Sequence, residues 1–112
     1  MILFNKMAKI EDWGNKKKVD KLIKELSNRK SDVRIAVVKA LGVARDYRAV
    51  SALISVLTDP DTNVRLCAIE VLGNIGDPRA KEHLRYISEK DANEELRKRA
   101  LAALAKIAGK DL

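Results

Sequence analysis

Apolar residues recur along this chain at spacings of three and four, and no run alternates cleanly. Val19, Leu22, Ile23 and Leu26 stand at i, i+3, i+4 and i+7, which is one face of a helix. Val33, Ala36 or Val37, Ala40, Leu41 and Ala44 form a second such face, and its small residues let neighbouring helices approach closely. The pattern predicts helix pairs and no strand. Polar residues mark the helix ends. Asp46 and Asp77 suit N-cap positions, and Pro78 falls at the first helical position, where its missing N–H costs nothing. Ser31 or Asp32, Asp61 or Thr62, and Asp91 start the second helices, and Asp91 with Glu94 has capping-box spacing. Gly76 and Gly109 sit where a left-handed C-terminal residue belongs, and Arg45 replaces the first such glycine.

The pattern repeats. VDKLIKEL (Val19 to Leu26) matches VSALISVL (Val50 to Leu57), and DVRIAVVKALG (Asp32 to Gly42) matches NVRLCAIEVLG (Asn63 to Gly73), both at an offset of 31. A third copy follows at an offset of 32, in which Leu96, Arg97, Ala100 and Leu104 take the places of Val64, Arg65, Ala68 and Leu72. One copy cannot bury its apolar face, and about three are needed for a stable stack. The expected organisation is one domain over 1–112, with an N-terminal cap at 1–15 and repeats at 16–46, 47–77 and 78–112. The ends of a stack should differ from its middle. Val50, Ile54 and Leu57 become Lys81, Arg85 and Ser88 in the last copy, as expected of a helix with nothing stacked beyond it. Leu3, Met7 and Ile10, with Phe4 and Trp13 nearby, predict a short helix over 3–13 that covers the first repeat; the alternative is an exposed aromatic hook.

The segments VRIAVVKALGVARDYRAV and VRLCAIEVLGNIGDPRAK resemble the HEAT repeat, in the short 31-residue form named after phycobilisome lyase subunits. The resemblance covers residues 16–109 and implies an all-α superhelix of three helix pairs. It is specific for fold and silent on function, because members include lyase subunits, iron hydroxylases and scaffolds.

Composition narrows the function. The chain has 112 residues, a net charge of +7, 4% aromatics and one cysteine. Cys67 alone makes neither an internal disulfide nor a cysteine-based zinc site, and it suits a reducing, cytoplasmic setting. No apolar run approaches membrane-spanning length. A lone His83 gives no histidine pair for a metal, and Glu82-His83 reverses the His-Glu order of the HEAT-like iron hydroxylases. Phosphate-loop, dinucleotide, zincin and nucleophile-elbow motifs are absent from the sequence. No catalytic residue, metal or cofactor is therefore expected; His83 reads as solvent-facing and Cys67 as a small, partly buried residue. Arg34, Arg65 and Arg97 recur once per repeat. They read as a structural ladder to loop carboxylates such as Asp32, Asp61 or Asp91, with an anion-binding row as the alternative.

The resemblance places the second helices on a concave face, with variable positions pointing outward. On this chain these are Ile35, Ala36, Lys39 and Val43; Leu66, Cys67, Glu70 and Asn74; then Lys98, Arg99, Ala102 and Lys106. The stripe begins apolar and ends cationic. An apolar patch with a basic flank suits a protein partner, a second copy included, such as an amphipathic helix carrying acidic residues. The expected binding residues are Ile35, Lys39, Val43, Leu66, Glu70, Asn74, Lys98, Arg99 and Lys106, with Ile35 and Leu66 facing solvent unless they tuck against neighbouring helices.

Charge is uneven. Residues 1–31 carry nine basic and four acidic side chains, 32–62 four and four, and 63–112 ten and eight. The excess lies at Lys16, Lys17, Lys18, Lys21 and Lys24, away from the groove, where Glu70 interrupts any basic track. The reading is a non-catalytic protein-interaction scaffold. Its alternatives are a nucleic-acid-associated protein using the basic N-terminal cluster and an accessory subunit of a lyase-type enzyme.

Overall fold

The computed structural model describes residues 2–110, and side chains from residue 5 onward. Seven α-helices follow in order: α1 (Ile2–Asn15), α2 (Val19–Glu25), α3 (Ser31–Ala44), α4 (Tyr47–Val56), α5 (Thr62–Ile75), α6 (Lys81–Lys90) and α7 (Glu94–Lys110). A 3-10 turn at Pro78–Ala80 leads into α6. No strand occurs among the described residues. The molecule is an all-α solenoid. Helices α1, α3, α5 and α7 pack in succession as one layer; α2, α4 and α6 form the other, α6 meeting α4 through the 3-10 turn. The shortest dimension, 16 Å, fits two helix axes about 8–10 Å apart with a backbone radius of about 2.3 Å on each side.

The core is the set of apolar positions that the repeat predicts. Leu22, Leu41, Leu53, Leu72, Leu84 and Leu96 are fully buried, and no polar or charged residue is buried with them among the described residues. Lys81, Arg85 and Ser88 are half-buried or exposed, whereas Val50 and Leu57 at the matching places of the second repeat are buried. Helix α6 thus has a polar outer side.

The N-terminal helix belongs to the second-helix layer. It runs the same 14 residues as α3 and α5 and packs on α3 more than on α2. Ile10 is buried, and Met7 and Trp13 pack partly buried against the core, which favours a covering helix over a free hook. The Leu3 and Phe4 side chains lie outside the described residues. A recurring glycine seat shows how the layer is built. A Cβ on Gly14 would stand 3.0 Å from Ala40 Cβ, one on Gly42 2.9 Å from Val71 Cγ1, and one on Gly73 2.8 Å from Ala103 Cβ. Each helix crosses the next where one backbone has no side chain.

The caps are partly as expected. Asp46, Asp61 and Asp77 each accept hydrogen bonds from backbone N–H groups of the first turn. Hydrogen bonds from Arg48 and Arg79, side chain and backbone, hold the Asp46 and Asp77 carboxyls below the ordinary aspartate range. Asp91 instead ends α6. Its carboxylate accepts from the Asn93 N–H, and Asn93 Oδ1 accepts from the Leu96 N–H at the start of α7. At the offset of 32, Asn93 takes the place of the Asp61 cap and Asp91 that of Asp59. Helix α3 has no side-chain N-cap; Lys30 stands there. Gly76 takes the left-handed conformation (φ 77°), while Gly109 lies inside α7 and ends nothing.

Two lysine and arginine residues adopt the geometry that glycine prefers. Arg45 closes α3 at φ 50°. Lys17, at φ 56°, ends α1 in a Schellman motif, with Lys18 N–H donating to Trp13 O and Lys17 N–H to Gly14 O. A side chain in this region costs about 1–2 kcal/mol. Arg45 is exposed, so Arg45→Gly is expected to raise stability by about 0.5–1 kcal/mol, the relief exceeding glycine's larger unfolded-state entropy. Urea melts of the two proteins measure the difference.

The arginine ladder exists with other partners. Arg34, Arg65 and Arg97 each donate to the carbonyl six residues earlier, of Asn28, Asp59 and Asp91. They tie each inter-helix turn to the helix that follows. Asp32, Asp61 and Asp91 carboxylates are not the acceptors. Arg34 alone reaches a carboxylate, that of Asp59 in the next turn, at 2.9 Å and 3.1 Å. The carbonyl is preferred because it lies at a fixed distance within the turn, whatever side chain follows.

Candidate functional site

The outward side of the second-helix layer carries the predicted rows. On α3, Lys39 and Val43 are exposed, Val43 by 59%, and Ala36 is half-buried. Ile35 and Leu66 do not face solvent freely. Both are half-buried and pack against the core, as does Cys67 beside Leu66. Their helices lie close enough, across the glycine seats, for each side chain to lean on its neighbour. Ile35, Leu66 and Cys67 stand near the starts of α3 and α5, and Val43 stands two turns further along α3.

The α5–α7 half is polar and internally paired. The Arg99 guanidinium spans the two helices to the Glu70 carboxylate and also donates to Glu95 at 2.7 Å. Lys106 Nζ donates to Asn74 Oδ1 at 2.8 Å. Lys98 pairs with Glu94 at 3.2 Å on its own helix. Carboxylates therefore neutralise Arg99 and Lys98, while Lys106 is held by a neutral amide and keeps its charge. A small depression of about 230 Å³ lies among Glu70, Asn74, Arg99 and Lys106. The sequence places these four residues on one face but does not show their pairing. The available signal was complementary residue types on adjacent helices, one repeat apart in the same row.

Lys39 stands on α3 between Ile35 and Val43, and makes no ion pair among the described residues. Burial pushes the Cys67 thiol above its ordinary range, and the positive charge of Lys39 only partly opposes this. A thiol so placed stays protonated near neutral pH and is a poor nucleophile. His83 is exposed on α6, in the other layer, so the structure does not bring it to Cys67. It lines a depression of about 380 Å³ between α4 and α6, with Ile54, Leu57, Tyr86 and Ile87 as its apolar wall. No group of three or more metal-ligating side chains occurs among the described residues. No described helix is long and apolar enough to cross a membrane.

With the stacked helix pairs and their outward rows established, comparison with known families is decisive. The family model for HEAT repeats matches residues 19–105. The chain belongs to the HEAT-repeat family. The matched span runs from the first residue of α2 into α7 and leaves out α1. This HEAT-repeat chain thus extends its second-helix layer with a helix outside the recognised pattern. Comparison with curated proteins returns no match. HEAT repeats are generally protein-interaction scaffolds.

Proposed function

We propose that this HEAT-repeat protein is a non-catalytic interaction module that docks a protein partner on the outward face of its second-helix layer. The observation that carries the reading is an exposed apolar residue on that face. Val43 is 59% exposed on α3, about 12 Å along the helix from half-buried Ile35, and no described helix covers it. Binding energy concentrates at a few central apolar residues within a polar surround. Lys39 and the paired Glu70–Arg99 and Asn74–Lys106 groups supply that surround; Lys98 lies further along α7. Because the pairs are already satisfied, the polar half contributes orientation more than attraction. Lys39 and Lys106, which no carboxylate pairs among the described residues, are the cations left to meet an acidic partner. We also read the 31-residue spacing as the short phycobilisome-lyase type of repeat, a relationship of architecture that carries no lyase chemistry to this chain.

Ile35 and Leu66 are half-buried, so the test rests on Val43. Charges at those two positions would unfold the chain as well as block a partner. Val43→Asp places a charge on an exposed site, where the stability change should stay within about 0.5 kcal/mol. Wild type and Val43→Asp, immobilised at equal loading, would be challenged with native lysate and the bound proteins identified. Loss of specific partners with Val43→Asp, its melting temperature unchanged, is the expected result. Captured sets identical to that of wild type, both for Val43→Asp and for Val43→Asp with Lys39→Glu, would overturn the site.

A further inference from the structure

The end of the stack occupied by α1 and α2 has a second surface that the interaction face does not use. Trp13 is the only tryptophan of the chain. Its ring is half-buried and opens into a groove of about 300 Å³ lined by Asn5, Lys6 and Lys9. Lys21 Nζ stands 5.7 Å from the ring centroid. Lys21 also borders a further depression of about 220 Å³, lined by Lys17, Lys18 and Arg48 among others. A cationic track therefore passes from Lys9 across the indole to Lys21 and on to Lys18.

The acidic groups at this end do not cancel the track. Asp12 pairs with Lys16, Asp20 with Arg48, and Glu25 with Lys6. Glu11 lies two residues from Lys9, about 200° round a helix of 3.6 residues per turn, and so on the opposite side of α1. Lys9, Lys18 and Lys21 make no ion pair among the described residues.

We propose that this track binds single-stranded nucleic acid, with a base stacked on Trp13 and its flanking phosphates on Lys9, Lys21 and Lys18. An aromatic plane between free cations is the arrangement that single strands use, since every base has a π-face and every link a charge. An exposed ammonium over an indole contributes only about 0.5–1 kcal/mol, so Lys21 is readily displaced from the ring to a phosphate. A membrane surface fits less well. The indole is recessed, and among the described side chains the exposed large apolar ones, Val43, Tyr47, Tyr86 and Leu101, all lie outside α1 and α2, whereas membrane docking requires apolar side chains that project. Duplex grooves fit less well too, because one recessed ring cannot reach a stacked base.

The test uses the full chain and a 12-nucleotide oligo-deoxythymidylate at low salt. Saturable quenching of the Trp13 fluorescence is expected, with log affinity falling against log salt at a slope of about −2, as three phosphate contacts give in single strands. In anisotropy with a labelled strand, Lys9→Gln with Lys21→Gln should weaken binding at least tenfold and flatten the slope. Trp13→Leu should weaken it about tenfold, the scale of one stacked base. Lys90→Gln with Lys110→Gln, at the other end, should change nothing. The lysine variants alter exposed positions, so they remain informative even if Trp13→Leu fails to fold. Absence of quenching, or equal losses at both ends, would overturn the proposal. So would equal binding and quenching by a poly-glutamate of the same charge, which would make the track a site for acidic peptides. A blue shift of Trp13 on phosphatidylserine vesicles without oligonucleotide quenching would assign it to membranes and likewise end the proposal.

Discussion

Leu72→Ala is expected to lower the unfolding free energy by about 2–5 kcal/mol, the usual range for a fully buried leucine. Leu41→Ala, one repeat earlier, should cost a similar amount. Both side chains are 0% exposed and lie in the continuous core between the layers. The loss combines the transfer energy of the removed atoms with the cavity left among neighbours that relax only partly. A domain's whole stability is about 5–15 kcal/mol, so either variant should shift the urea midpoint by a large fraction of its value. Leu101→Ala serves as the comparison. Leu101 is 63% exposed, and its loss should stay near the 0.5 kcal/mol typical of surface changes. Losses of that small size at both Leu41 and Leu72 would show that the repeat register is wrong.

The second large effect concerns a glycine inside a helix. Replacing such a residue by alanine ordinarily stabilises, because glycine is about 1 kcal/mol poorer in helix propensity. Gly73→Val should do the reverse of a propensity gain. A Cβ at Gly73 would meet Ala103 Cβ at 2.8 Å and Ala103 Cα at 2.9 Å. The obstacle is the backbone of α7, so α5 and α7 must separate. Overpacking of this kind costs about 1–3 kcal/mol, and valine's two further methyl groups put it at the upper end. Separation would also stretch the Arg99–Glu70 and Lys106–Asn74 links across the same helices. Gly109→Ala gives the opposite sign. Nothing lies within 4 Å of its Cβ position, so a gain of up to about 1 kcal/mol is expected. Paired thermal melts of the two variants measure both signs.

The outward rows were legible only in part. Periodicity placed Ile35 and Leu66 on the side of the second helices that the repeat leaves variable, and they do stand there. It could not say how far each tucks sideways, because that depends on inter-helix distance, which the glycine seats determine. The basic rim failed for a related reason. Lys98, Arg99 and Lys106 are cations in any sequence count; Glu94 stands four residues before Lys98 on α7, but Glu70 and Asn74 reach Arg99 and Lys106 only when α5 and α7 lie side by side.

By itself the sequence determined the helices, their pairing into repeats and the identity of the core. Those follow from local periodicity and from a copy of the same pattern 31 residues on, which demands the same burial. It also located the ends marked by Asp46, Asp61, Asp77 and Gly76, where cap chemistry is confined to a few neighbouring residues. Tertiary structure decided the rest. Helix α1 entered the second-helix layer because Gly14 seats it on Ala40, a contact between positions 26 residues apart that no local pattern encodes. The arginines took backbone carbonyls because a turn, once folded, presents them at a fixed distance. Trp13 came to lie beneath Lys21 because the α1–α2 turn reverses the chain and brings two separately unremarkable faces together.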